Sequence, residues 1–100
     1  MTYKKPSKSY RTPVKVQDAM KNELAKYKCR LFYSSRLNLY GDDAHLYMVV
    51  ALRENNSMPC GEEYIVWYWN DSTKSLSNGS YGLSLPLAMN KIAQCLMNYA

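Results

Sequence analysis

Three cysteines, one histidine and two pairs of adjacent acids are the side chains of this sequence suited to nucleophilic, metal or acid–base chemistry. Their spacing assembles none of those sites. Cys29, Cys60 and Cys95 are an odd number, far apart and without a C-x-x-C pair, and they read as reduced thiols. His45 lies in an alternating apolar run, without the H-x-E, H-E-x-x-H or paired-cysteine context of a zinc site. A thiolate nucleophile needs a base within hydrogen-bond reach, and only a meeting of Cys29 with His45 in space could supply one. Asp42-Asp43 sits in turn sequence, where aspartate bonds locally, and the neighbours Glu62-Glu63 on a strand point to opposite faces. Gly79 and Gly82 belong to neither a G-x-x-x-x-G-K-[ST] nor a G-x-G-x-x-G phosphate loop. The expectation is a protein with no catalytic residues, no metal and no cofactor, and not an enzyme.

Binding chemistry is better represented. Residues 1–15 carry Lys4, Lys5, Lys8, Arg11 and Lys15 and no acid, a charge of +5, while residues 16–100 balance eight bases with eight acids. The net charge of the whole chain is +5, so all of the excess belongs to the N-terminal segment. Residues 1–36 carry ten bases and two acids (+8), and residues 37–100 three bases and six acids (−3). Lysines attract phosphate through a salt-dependent, sequence-blind term, and the interleaved Tyr3 and Tyr10 are suited to stacking on unpaired bases. The arm therefore offers nucleic acid as one class of partner.

The elements that must position these groups follow from periodicity. Residues 1–11, with Pro6 and no apolar repeat, read as a flexible basic arm, and residues 12–100 as a single domain. Thr12-Pro13 reads as a helix start, and Val16, Met20, Leu24 and Tyr27 place one apolar stripe on a helix reaching residue 28. The period then changes to two. Leu31, Tyr33, Leu37 and Leu39 fall on one side of a strand, and Gly41-Asp42-Asp43 makes a turn. Residues 44–53 alternate Leu46, Met48, Val50 and Leu52 with His45, Tyr47, Val49 and Ala51, a central strand covered on both sides. Residues 63–69 place Ile65, Trp67 and Trp69 opposite Tyr64, Val66 and Tyr68, and residues 74–81 make a weaker edge strand diluted by serines and Gly79. Ser84 caps a final helix with the stripe Leu85, Ala88, Met89, Ile92, Leu96 and Tyr99. The fold expected is α+β: a three- to four-stranded antiparallel sheet with an N-terminal and a C-terminal helix packed on one face, in the order α-β-β-β-(β)-α. The other face would expose aromatic rings beside Arg30, Arg36 and Arg53.

No apolar run approaches the roughly 20 residues needed to span a bilayer, so no membrane partner is expected and the reading is a protein of the host cytoplasm. The α-β-β-β-α order is similar in topology to the double-stranded RNA-binding domain. That family opens its second helix with a lysine-rich phosphate clamp, whereas Gly82-Leu83-Ser84-Leu85-Pro86-Leu87 has no base before Lys91. Over residues 62–100, Tyr64-Ile65-Val66-Trp67-Tyr68-Trp69-Asn70, a polar turn and Asn78-Gly79-Ser80-Tyr81-Gly82 leading into an amphipathic helix resemble small orphan accessory proteins of phages and mobile elements, anti-CRISPR proteins among them. The resemblance implies a compact, non-enzymatic inhibitor that occludes a site on a host protein or nucleoprotein complex by direct protein contact. The partner-binding residues expected are Lys4, Lys5, Lys8, Tyr10, Arg11, Arg30, Arg36, Tyr64, Tyr68 and Trp69. The alternative is a nucleic-acid-binding module using the arm and the aromatic sheet face, and an open face or edge also admits a homodimer.

Overall fold

The structure, a computed structural model, describes residues 10–37 and 45–98. The arm lysines Lys4, Lys5 and Lys8, the Gly41-Asp42-Asp43 turn, Leu39 and Tyr99 lie outside the described residues. Helix α1 (Val14–Ala25) is followed by strands β1 (Arg30–Arg36), β2 (Leu46–Glu54), β3 (Glu62–Asn70) and β4 (Ser75–Leu83), then helix α2 (Leu85–Asn98). The strands form one antiparallel sheet in sequence order, β1-β2-β3-β4, so the expected α+β order holds with its fourth strand formed.

Alternation along β2 and β3 builds two cores. Odd-numbered Tyr47, Val49, Ala51, Ile65, Trp67 and Trp69 pack beneath α1 through Val16, Met20 and Leu24. Even-numbered Met48, Val50 and Val66 pack beneath α2 through Ala88 and Cys95. The helices therefore lie on opposite faces of the sheet, which corrects the expectation that both share one face. The reason is in the central strands: each is apolar on both sides, and an apolar residue of this size left in water forgoes roughly 1.5–3 kcal/mol of burial.

Strand β1 is out of phase with the simple alternation. Leu31 pairs with Ala51 but Tyr33 with Val50, so Phe32 is the extra residue of a β-bulge. Leu31 consequently packs on the α1 side, whereas Leu37 belongs to the α2-side core and Tyr33 faces α2. Phe32 meets Tyr64 edge-on on that same side, at 5.1 Å between ring centroids. The expected common face for Leu31, Tyr33 and Leu37 is broken by this one residue.

The helix ends also differ from the sequence reading. Pro13, not Thr12, occupies the cap position of α1, and its carbonyl accepts from the Val16 and Gln17 amides. Thr12 is buried, its hydroxyl bonded to that of Ser34 at 2.8 Å, so it fastens the helix start to β1. At the other end Lys28 takes a left-handed conformation (φ 59°), and the Cys29 amide donates back to the Leu24 carbonyl. That left-handed residue, three positions beyond the helix end at Ala25, aims the chain into β1.

Gly79 on β4 lies against the indole of Trp67, whose Nε1 donates to the Tyr81 hydroxyl at 3.0 Å. A Cβ at position 79 would collide with both Trp67 Nε1 and the Tyr81 phenol. Tyr81 is exposed and can move aside by giving up this hydrogen bond, but the Trp67 ring is held in the core. We expect Gly79→Ala to cost about 1–3 kcal/mol in urea denaturation, the usual range for overpacking. Gly79→Ala in a Tyr81→Ala background should cost less, because one of the two clashes is gone.

Candidate functional site

Beside α2, on its own face of the sheet, the described residues leave apolar surface uncovered. Helix α2 packs chiefly over β3, and its side facing β1 carries Leu85, Met89, Ile92 and Leu96, spaced at four, three and four residues. Across from them stand the two bulge residues, Phe32 and Tyr33. Two adjoining depressions result. One, of about 520 Å³, is lined by Phe32, Tyr33, Leu85, Met89 and Ile92. The other, of about 450 Å³, is lined by Tyr10, Tyr33, Ser35, Leu96 and Met97. Tyr33 is common to both, so they form one groove running along the helix. Exposure is high for its apolar residues: Met97 75 %, Met89 60 %, Phe32 49 % and Tyr33 43 %. The side chains lining it include no charged group.

The arm reaches this groove. The Arg36 amide donates to the Tyr10 carbonyl at 2.9 Å, tying the last arm residues to the edge of β1, and the Tyr10 ring lines the groove itself. Of the other expected contact residues, Arg11 is exposed nearby in sequence, and Tyr64 and Tyr68 are half-buried in the α2-side core. Trp69 is fully buried beneath α1, its indole N–H donating to Asp71 Oδ1 at 3.3 Å. Arg36 is almost fully buried, with its guanidinium 4.8 Å above the Tyr47 ring. Neither Trp69 nor Arg36 presents a contact surface, and both leave the expected set as parts of the core. Phe32, Leu85, Met89 and Met97 are the residues that sequence reasoning missed. The signal available for them was α2 itself, which carries a single charge, Lys91, in fourteen residues.

A second concavity, about 840 Å³ and open, lies at the opposite end of β1, lined by Tyr27, Lys28, Arg30, Arg53, Glu54 and Glu63 among others. Its cations are answered by acids. Arg30 pairs with Glu62 at 3.4 Å, and the Arg53 Nε donates to Glu63 Oε1. Glu63 is buried and fully engaged: Oε1 also accepts from Asn55 Nδ2 at 3.1 Å, and Oε2 from the Gly82 amide at 2.7 Å. Burial pushes the Glu63 carboxyl up, but the bonds from Arg53, Gly82 and Asn55 outweigh it and hold the group below its ordinary value. The lining holds three bases and two acids, and Glu62 beside Arg30 brings the acids to three.

Cys29 and His45, the one pairing that could have supplied a thiolate with a base, do not meet. Arg30 pairs with Leu52, whereas His45 precedes Leu46 at the far end of β2, about 20 Å away at ~3.3 Å per residue. Burial pushes the Cys29 thiol up, against the opposing pull of Arg53. Among the described residues no three His, Cys, Asp or Glu side chains gather as metal ligands, and no helix is long and apolar enough to cross a membrane. No known protein family, characterised protein or solved structure was found to match the chain.

Two measurements check this geometry. The folded pKa of Glu63 is depressed, so its stabilisation is present above the unfolded value near 4.5 and is lost as pH falls through the folded one. Glu63→Gln should therefore destabilise at neutral pH by about 2 kcal/mol, less than a fully buried pair because Arg53 is one-third exposed, and should flatten the acid limb of the stability profile. Titration with a thiol-specific disulfide reagent under native conditions should modify Cys60 rapidly and leave Cys29 and Cys95 until unfolding, since only Cys60 is exposed.

Proposed function

We propose that this chain acts by direct protein contact, through the apolar face that α2 and β1 form between them. One observation carries this reading: a continuous groove of exposed Phe32, Tyr33, Met89 and Met97 with no charged side chain in its lining. Contiguous apolar surface of this kind is kept where a partner covers it, and aromatic side chains in such a setting supply much of the binding energy. The role fitting such a contact is that of a small non-enzymatic factor of a phage or mobile element, inhibiting a host defence complex by occlusion in the host cytoplasm. Support for that role is the resemblance of residues 62–100.

Electrostatics favour protein over nucleic acid as the partner of the folded body. The groove is uncharged, and in the cleft at the other end of β1 Lys28, Arg30 and Arg53 stand with Glu54 and Glu63, Arg30 being paired with Glu62. Any attraction to phosphate falls to the arm, which is a separable part. Truncation has to stop at residue 9, because removing Tyr10 would also remove a wall of the groove.

The test is affinity capture from host extract with nuclease treatment, using wild type, a 2–9 deletion and Met89→Lys. Capture of the same protein partner should survive nuclease and the deletion, and should fall at least tenfold with Met89→Lys, whose exposed position leaves folding intact. Capture that depends on the arm and disappears with nuclease would instead establish the nucleic-acid alternative.

A further inference from the structure

We infer that the α2–β1 face is closed by a second copy of this chain, each copy laying the outward side of its α2 into the berth beside the α2 of the other. The inference rests on the reading of this face as a protein-contact surface and names one partner for it.

The width of the sheet sets the shape of the occupant. Four strands at about 4.8 Å spacing make a face roughly 19 Å across, room for two helices of ~10 Å. The α2 face holds one helix, over β3, so a helix-wide berth remains above β1 with Phe32 and Tyr33 as its floor.

The composition of α2 says which helix. Its core-facing residues are Ala88 and Cys95, and its berth-facing residues Leu85 and Met89. The side turned away from the sheet carries Pro86, Asn90, Ala93 and Met97, all exposed and none charged. A helix facing water ordinarily carries charge on that side. A foreign helix lying in the berth would cover Leu85, Met89 and the groove side of Met97 and leave Pro86, Asn90 and Ala93 in water. Reciprocal insertion covers both sets, because each copy contributes one berth and one plug.

The area agrees with a stable pair. Tyr10, Phe32, Tyr33, Leu85, Met89 and Met97 are about half exposed. At roughly 200 Å² each they offer on the order of 600 Å² per copy, before Pro86 and Ala93 are added, against ~800 Å² per partner in a standard interface. A two-fold contact places each patch against itself, so an uncharged patch meets no like-charge penalty. Each copy carries a net charge of +5, so like charge opposes the pairing. Salt should therefore tighten the pair.

The test is sedimentation velocity and light scattering on the full chain. At roughly 100 µM the mass should be twice the 11.6 kDa of one chain, with a Kd that falls as salt is raised. Met89→Glu and Met97→Glu should each raise that Kd at least tenfold while the circular dichroism spectrum is retained. Leu87→Glu, equally exposed but on the other flank of α2, should leave it unchanged. A single-chain mass at that concentration overturns the inference, as does a dimer that resists Met89→Glu and Met97→Glu but is broken by Leu87→Glu. The two readings fail separately. A monomeric wild type that still loses its captured partner on Met89→Lys removes only the second copy, whereas a dimer and a captured partner both indifferent to position 89 remove the contact face itself.

Discussion

Strands β2 and β3 are apolar on both of their faces, and this doubles the surface the chain must cover. Val49, Ala51, Ile65, Trp67 and Trp69 point one way, and Met48, Val50 and Val66 the other, all with almost no exposed area. Two helices of 12 and 14 residues are all that the described residues provide for the task. One helix per face is the arrangement that covers both sides of the two inner strands, and it necessarily leaves half of each face to other means. On the α1 side that half is filled by the indoles of Trp67 and Trp69 themselves, with Tyr27 and Tyr81 against Trp67. On the α2 side β1 presents Phe32 and Tyr33, and among the described residues no indole stands over it, which leaves the groove.

Much of this was legible in the sequence. Alternation alone gave both sides of β2 and β3 correctly, and the polar break at Asn70-Asp71-Ser72 is the observed turn, where Asn70 Oδ1 accepts from the Ser72 amide at 2.9 Å. Helix placement was less legible, because amphipathicity says that a helix has an apolar side and not which sheet face it seeks. The expectation of a central strand covered on both sides already contained the answer, since two helices on one face would have left Val49 and Ala51, or Met48 and Val50, uncovered. The bulge at Phe32 carries no glycine or other local mark, and one inserted residue reverses the facing of everything after it. In α2, Leu85 and Met89 read as core by spacing. Small Ala88 and Cys95 took that place because they let the helix approach the sheet closely.

The far end of the sheet is held by a different kind of interaction. Glu63 gathers donors from the end of β2, the loop after it and β4, through Arg53, Asn55 and the Gly82 amide. Gly82 itself has φ +66°, a conformation that L side chains seldom adopt, and it occurs where the β3–β4 register shifts between Tyr64 and Val66. The buried carboxylate thus satisfies a backbone amide at an irregular point of the β3–β4 pairing. Its energetic importance comes less from attraction than from the cost of leaving any of these buried polar groups unpaired. The Arg53–Glu63 pair at this end is accordingly structural.

Charge and apolar surface are consequently separated along the molecule. The excess charge belongs to residues 1–15, while the groove that Tyr10 joins has no charge in its lining. Long-range attraction by exposed charges mainly raises the rate of encounter and fades within about 8–10 Å at physiological salt, whereas residence depends on buried apolar and aromatic contact. The Tyr10 carbonyl is fixed to the Arg36 amide and the Tyr10 ring lines the groove, so the first described residue couples the N-terminal segment to the groove's rim. That coupling is mechanical. It depends on a main-chain hydrogen bond at the edge of β1, joined at the same Tyr10 carbonyl by the Ser35 hydroxyl at 3.5 Å.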